Sequence, residues 1–304
     1  MSAVTGCWRS LLDNATVFDP RGTPLAFGRL LLALATSSSI LFTPDDALFS
    51  DATAVSDGIR CAGVRSLSLW CLNGHLTGSY VFARIVSIAV LIVVASGYRP
   101  RWTCIPHWYV TFSLTASMAA INGGDAAAVI ATMLVALLCL GDDRTWQWRR
   151  PSTPLPARWR GRAFAAQLVI RLQLLVIYLS AAVSKLLDPA WQDGSAMYFA
   201  LHDPYFGLPT TALGPATPLL TSRWLIGLVT WSVIAVQLMI AVTVLGRRRE
   251  RRLAVVLVAG LHLGIIMLMG LTSFGLVLIG FALVALGGPP RDTSEAIEAA
   301  RQPG

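Results

Sequence analysis

The chain has 304 residues, of which 55% are hydrophobic and only 13% are charged, and its mean hydropathy is +0.63. This composition excludes an ordinary soluble domain, because the apolar residues form runs long enough to cross a bilayer. The formal net charge of +8 does not indicate nucleic-acid binding, since the arginines lie in short blocks between the apolar runs. The sequence therefore predicts an all-α, polytopic membrane protein that contacts lipid and binds no nucleic acid.

The N-terminal segment 1–24 precedes the first apolar run and carries no convincing signal-peptide cleavage site. The first apolar run is therefore expected to stay in the protein. Scattered apolar residues such as Trp8 and Leu11 predict a short helix at the membrane interface within segment 1–24.

Eight apolar runs between residues 25 and 288 are candidate membrane-spanning helices. The predicted spans are 25–43, 80–97, 105–121, 125–141, 164–187, 224–245, 253–270 and 273–288. No internal repeat is visible, so an inverted-repeat transporter has no support. We expect residues 25–288 to form one transmembrane domain.

Arginine-rich connections alternate with connections that are poor in arginine along the whole chain. The rich ones are 98–101, 144–162 and 247–252. By the positive-inside rule, this alternation places both termini in the cytoplasm, including the tail 289–304. The long loops 44–79 and 188–223 are then predicted to lie outside.

Lys185 is the only lysine among 24 lysine and arginine residues, and it ends the fifth apolar run. Arginine stays protonated at any workable pH, whereas a lysine removed from water can release its proton and act as a base. The alternative is a lysine that extends from a helix end to the membrane surface.

Arg171, Tyr178 and Lys185 are seven residues apart, so they share one stripe of a helix. A polar stripe within a membrane span is expected to face protein or a water-filled cavity. The sequence leaves two interpretations open: the stripe lines a polar cavity that binds substrate, or it packs, with its charges paired to Asp125 or to helix-end carbonyl groups.

His262 lies near the middle of the seventh span and is a candidate proton carrier or substrate anchor, or else a core histidine bonded to a carbonyl. The histidines have no HxxxH or HExxH spacing, so no metal site is predicted. Other candidate substrate contacts fall at or near the predicted outer surface. They are Arg84, Asp125, Trp191 and His202.

Cys61 and Cys71 are the cysteines predicted to lie outside, ten residues apart in loop 44–79. In an oxidising compartment this pair is expected to form a structural disulfide. A redox role, in which the pair passes oxidation to a partner, is the alternative.

The run 170–197, which contains Lys185, resembles the vitamin-K-dependent-carboxylase-like transmembrane (HTTM) domain. His262 followed by Phe274 is a second match, whereas Ser184 stands where many carboxylases have another lysine. In the carboxylases the matching lysine is taken as the base that deprotonates vitamin K hydroquinone. The resemblance implies a catalytic Lys185 supported by His262, and a quinone cofactor by family analogy only.

Several short motifs, in order along nearly the whole chain, resemble the bacterial sporulation-delaying protein B family. They are Asp19-Pro-Arg21, Phe27-Gly-Arg29, Ala95–Arg101, His107-Trp108, Asn122–Asp125 and Asp203–Gly207. The resemblance implies a multi-pass protein of the bacterial cytoplasmic membrane. It also implies a role, with a small accessory protein from the same gene cluster, in maturing a secreted peptide toxin.

The sequence therefore predicts a membrane factor that matures or modifies a secreted peptide precursor at the outer face, with Lys185 as candidate base. The alternative is a non-catalytic protein that binds the toxin, confers immunity or scaffolds a processing complex. The aromatic loop 188–223 and the absence of a complete catalytic motif support that alternative.

Overall fold

The computed structural model describes residues 15–49, 59, 61–72 and 80–287. The predicted interfacial helix before residue 15 and the predicted tail 289–304 lie outside the described residues, as does part of loop 44–79.

The described residues are α-helical apart from connections and one isolated β-bridge between Tyr98 and Trp146. The helices are α1 (Thr23–Phe42), α2 (Asp45–Phe49), α3 (Val81–Ser96), α4 (Pro100–Ser117), α5 (Gly123–Cys139), α6 (Ala157–Leu186), α7 (Pro189–Gln192), α8 (Ala196–Leu201), α9 (Thr210–Leu220), α10 (Arg223–Thr243), α11 (Arg248–Met269) and α12 (Thr272–Ala285). A 3₁₀ turn covers Gly63–Leu67. The all-α prediction is confirmed for this part of the chain.

Each of the eight predicted spans corresponds to one long helix of the described chain. By length and composition, α1, α6, α10 and α11 are able to cross a membrane, whereas the apolar helices α3, α5 and α12 are shorter. The chain is therefore a membrane protein, with four candidate spanning helices in the part that the structure describes, and a count of eight spans stays a prediction. Helix α6 begins at Ala157, well before the predicted span 164–187, because arginine is a good helix former that hydropathy does not detect.

Helix α12 lies at the centre of the fold, where it packs against α1, α5, α6 and α11. Its approach to α1 is close: a Cβ added at Gly28 would lie 2.5 Å from Cγ2 of Val284 and 2.7 Å from the carbonyl oxygen of Gly280. Small residues let helix backbones approach and pack without a side chain between them, as is common between membrane helices. Glycine at position 28 is thus required by the packing.

Two of the arginine-rich connections meet at one end of the helix bundle. The amide of Arg99 donates to the carbonyl of Thr145 over 2.8 Å, and the amide of Gln147 donates to that of Gly97 over 2.9 Å. Fully buried Arg29 joins them to α1 by donating to Gln147 Oε1 and Thr103 Oγ1, each over 2.7 Å. The meeting of these connections at one end fits the predicted alternation, and which end faces the cytoplasm stays a prediction.

The opposite end of the bundle carries the residues that are predicted to lie outside. Cys61 and Cys71 form a disulfide there, and the hydroxyl of Tyr109 donates to the carbonyl of Leu67 over 2.9 Å. The short helices α7, α8 and α9 follow α6 at this end, and α8 and α9 pack against α10.

Candidate functional site

A cavity of about 550 Å³ lies among α6, α10, α11 and α12. These helices form a ring, because α6 packs on α10, α10 on α11, α11 on α12 and α12 on α6. Most of the lining is apolar, and among the described residues it includes no aspartate or glutamate. The polar side chains that line it are Tyr178, Lys185, Gln237 and His262.

The two ends of the cavity differ in exposure. Val229 and Leu268 line it near the end of the bundle that carries α7 and α8, and they are 40% and 44% exposed. Tyr178 and His262 line it deeper in the bundle and are only 2% and 3% exposed. We therefore call the first end the mouth and the second the floor.

Tyr178 and His262 are joined across the floor of the cavity. The hydroxyl oxygen of Tyr178 lies 2.9 Å from Nε2 of His262, so this bond links α6 to α11. If the hydroxyl donates, the neutral imidazole carries its proton on Nδ1. Nδ1 is buried and has no partner among the described atoms, and the ring of Phe274 lies against the imidazole with centroids 5.2 Å apart. The floor thus holds an imidazole whose orientation is set by one tyrosine.

Lys185 lies at the mouth, two helical turns and about 10 Å beyond Tyr178 along α6. Its Nζ lies 5.1 Å from the ring centroid of Trp191 and 3.4 Å from the carbonyl oxygen of Ala181. The face of an indole ring attracts a cation, so this contact favours the ammonium form of the lysine. The mouth therefore presents one half-buried positive charge above apolar walls.

The segment that carries Trp191 is attached to α10 by a buried threonine. Oγ1 of Thr230 donates to the carbonyl of Gly194 over 2.9 Å and accepts from the amide of Met197 over 3.3 Å. Gly194 has φ of +83°, and a Cβ at that position would lie 3.1 Å from Cα of Gly227. A glycine is needed here for both its conformation and its close contact with α10.

Two known proteins are similar to this chain over almost its full length. It is 31% identical over 278 residues to sporulation-delaying protein SdpB of Bacillus subtilis (strain 168), covering 91% of this chain and 85% of that protein. It is 30% identical over 269 residues to the uncharacterized protein YitO of the same strain, covering 88% of this chain and 86% of YitO. This chain belongs to the SdpB family.

The family predicted from the short motifs is therefore confirmed. No family model matches the chain, and no solved structure matches it. The resemblance to the carboxylase-like transmembrane domain accordingly stays a prediction, as does the quinone that it implied.

In this SdpB-family chain, Arg171 lies outside the cavity although it shares a stripe with Tyr178 and Lys185. Its Nε donates to the carbonyl of Ala285 over 3.1 Å and its Nη2 to that of Gly287 over 2.6 Å, at the end of α12. Of the two interpretations that the sequence left open, the structure shows the pairing with helix-end carbonyl groups for Arg171.

Three other predicted substrate contacts also lie away from the cavity lining. Arg84 forms a salt bridge with Asp45 and donates to the carbonyl groups of Ile40 and Thr43 at the end of α1. Asp125 accepts from the amide of Asn122 in the capping box that begins α5. His202 is exposed, and its Nδ1 lies 2.8 Å from the carbonyl oxygen of Tyr198. The structure thus brings together Lys185, Tyr178, Trp191 and His262 only.

Sequence reasoning missed Gln237 in the cavity wall and Thr230 behind the mouth. Both are polar residues in an apolar span, and they are seven residues apart. This is the spacing that singled out Arg171, Tyr178 and Lys185, so the same criterion applied to α10 would have found them. Within the described part of the chain, no group of three or more histidine, cysteine or acidic residues has the geometry of a metal site.

Proposed function

We propose that this chain is an integral membrane factor that takes part in the maturation of a secreted, toxin-like peptide at the outer face of a bacterial cytoplasmic membrane. Membership of the SdpB family supports the proposal, since the relative is named a sporulation-delaying protein. The observation that carries it is the cavity with Lys185 at its mouth, at the end of the bundle that is predicted to lie outside. A peptide precursor and a small accessory protein are the proposed partners.

Lys185 has two proposed roles, as a base or as a cation, and the substitution Lys185→Arg distinguishes them. As a base, which the carboxylase resemblance implies, it must lose its proton, and His262 at the floor then supports the reaction. As a cation, it holds an acidic group of the ligand, and the ring of Trp191 supports this form because it stabilises the ammonium. Arginine retains the charge and cannot serve as the base.

A second candidate function is a non-catalytic one, in which the chain binds the peptide, confers immunity or scaffolds a processing complex. The observation that favours it is the apolar lining of the cavity, which suits holding an apolar segment without reacting with it. In this case Lys185→Arg is silent, and Trp191→Ala, which removes a wall of the mouth, impairs binding.

The experiment is co-expression of the chain with the secreted precursor and the accessory protein from its gene cluster. The mass of the secreted product is compared for wild type, Lys185→Ala, Lys185→Arg and Trp191→Ala at equal membrane levels. Arg158→Ala is the matched control, because Arg158 is an exposed cation of the same helix outside the cavity.

Loss of the mature product in Lys185→Ala and Lys185→Arg, with Arg158→Ala normal, supports the base. Loss in Lys185→Ala alone supports the cation. A product that is unchanged when the whole gene is deleted overturns the proposed function, and an unchanged product in all point variants overturns the role of the site.

A further inference from the structure

We propose that the cavity binds a membrane amphiphile with one anionic head group, the head lying at Lys185 and the apolar chain extending towards Tyr178 and His262. The inference goes beyond the proposed function, because this ligand comes from the bilayer and is not the secreted peptide. An amphiphile in the cavity would compete with the peptide for Lys185.

Charge complementarity is the first argument. Among the described residues that line the cavity, Lys185 is the one lysine or arginine, and its Nζ contacts the ring face of Trp191 and one carbonyl group. A half-buried ammonium above apolar walls is costly unless an anion neutralises it. No acidic side chain in this lining supplies that anion, so an anionic ligand group fits the mouth.

The shape of the cavity is the second argument. From Lys185 to Tyr178 the cavity follows α6 for about 10 Å, and apolar side chains such as Ala181, Val233 and Ile265 line it. The bonded pair of Tyr178 and His262 lines the floor. A cavity with one cation at its mouth and mostly apolar walls suits a molecule with an anionic head and an apolar tail.

Two glycines of α11 make the space that the tail would fill. Gly260 and Gly264 both line the cavity, and a Cβ added at either position would meet nothing within 4 Å. A methyl group at either position would therefore fit without a clash, and we expect a larger side chain there to extend into the cavity. This makes the proposal testable by filling the space rather than by removing a contact.

The test uses the purified full chain in nanodiscs of neutral phosphatidylcholine and measures displacement of a dansyl-labelled fatty acid. The competitors are decanoate, decyl alcohol and decyl phosphate, which share one tail and differ in the head. We expect decanoate to compete about tenfold better than decyl alcohol, since a hydrogen bond from an ammonium to a carboxylate is stronger than one to an alcohol by about that factor. Equal competition by acid and alcohol would overturn the proposal.

The variants separate the head from the tail. We expect Lys185→Arg to retain decanoate binding within about threefold, and Lys185→Gln to weaken it by about tenfold. Gly264→Phe is expected to abolish binding of the labelled fatty acid while Lys185 is unchanged. Gly161→Phe is the matched control, because an added Cβ at Gly161 also meets nothing and this residue lies outside the cavity. Unaltered binding in Gly264→Phe would refute the assigned location.

Decyl phosphate identifies the natural source of the ligand. If decyl phosphate competes as well as decanoate, binding depends on the negative charge of the head and a phospholipid head fits the site. If it competes poorly, a free fatty acid is the ligand. Both results require dependence on Lys185. Because this assay measures binding by the purified chain, its failure is distinct from failure of the maturation experiment, which measures product mass in cells.

Discussion

Tyr178→Phe tests whether the bond across the cavity floor stabilises the fold. The substitution removes one oxygen atom and preserves the ring, so packing around α6 is nearly unchanged. It deprives Nε2 of His262 of its hydrogen-bond partner at 2.9 Å. Since Nδ1 already has none among the described atoms, both ring nitrogens of a residue that is 3% exposed are then unpaired.

The expected loss of stability follows from two opposing estimates. Leaving a buried polar group unpaired costs about 1–3 kcal/mol in soluble proteins. Hydrogen bonds between membrane helices are worth less, on average about 0.6 kcal/mol and at most about 1.7 kcal/mol, because the unfolded chain also finds partners in the bilayer. The complete isolation of the imidazole favours the upper part of the second range. We expect Tyr178→Phe to reduce the free energy of unfolding by about 1–1.7 kcal/mol, which lowers Tm by about 2–7 °C.

Thermal unfolding in detergent can be followed with a thiol-reactive dye. Cys104 and Cys139 are free and buried, so the dye reacts with them only when the helices separate. A Cys7→Ser background removes the thiol that lies outside the described residues. Tyr205→Phe is the control for loss of a tyrosine hydroxyl, because Tyr205 is 87% exposed and water replaces any bond that it makes.

A double-mutant cycle with His262→Leu separates the bond from other effects of the ring. We expect the two substitutions to be coupled by about 1 kcal/mol, as residues in direct contact usually are. A Tm for Tyr178→Phe equal to that of Tyr205→Phe, together with zero coupling, would refute the reasoning. The floor would then be held by packing alone.

Three further substitutions test the packing and the loops. Gly28→Ala forces α1 away from α12 and should lower the free energy of unfolding by about 1–3 kcal/mol in the dye assay. The control Gly161→Ala should lower it by nothing, because its added methyl group meets open space. Equal stability of the two variants would contradict the close helix contact. Arg171→Gln loses the bonds to two carbonyl groups and should lower the free energy of unfolding by about 2–3 kcal/mol. It should leave binding of the labelled fatty acid unchanged. Weakened binding would contradict the position of Arg171 outside the cavity. Replacing Cys61 and Cys71 together by serine removes a disulfide with a sequence separation of 10 and should lower the free energy of unfolding by about 3 kcal/mol. Peptide maturation should continue. Loss of maturation at normal membrane levels would instead support a redox role.

The candidate site could be predicted in part from spacing along single helices. Periodicity placed Tyr178 and Lys185 on one stripe of α6, and both line the cavity. The same periodicity placed Arg171 on that stripe, although the end of α12 covers it and accepts its hydrogen bonds. Periodicity shows which residues share one face of a helix. It does not show which neighbouring helix each of those residues contacts, because that depends on where the neighbours begin and end. His262 was predicted as a candidate, but its bond to Tyr178, 84 residues away, was not.

The sequence by itself determined that this is an all-α membrane protein, where its long helices lie and which family it belongs to. These properties follow from local composition, since each apolar run partitions into the bilayer according to its own residues, and from short motifs that need no partner. Only the tertiary structure decided that α6, α10, α11 and α12 enclose a cavity, that Trp191 lies against Lys185, and that Arg84 and Arg171 donate to carbonyl groups at helix ends. Those outcomes depend on how each helix is rotated and how closely it approaches its neighbours, which is set by packing among residues far apart in the chain.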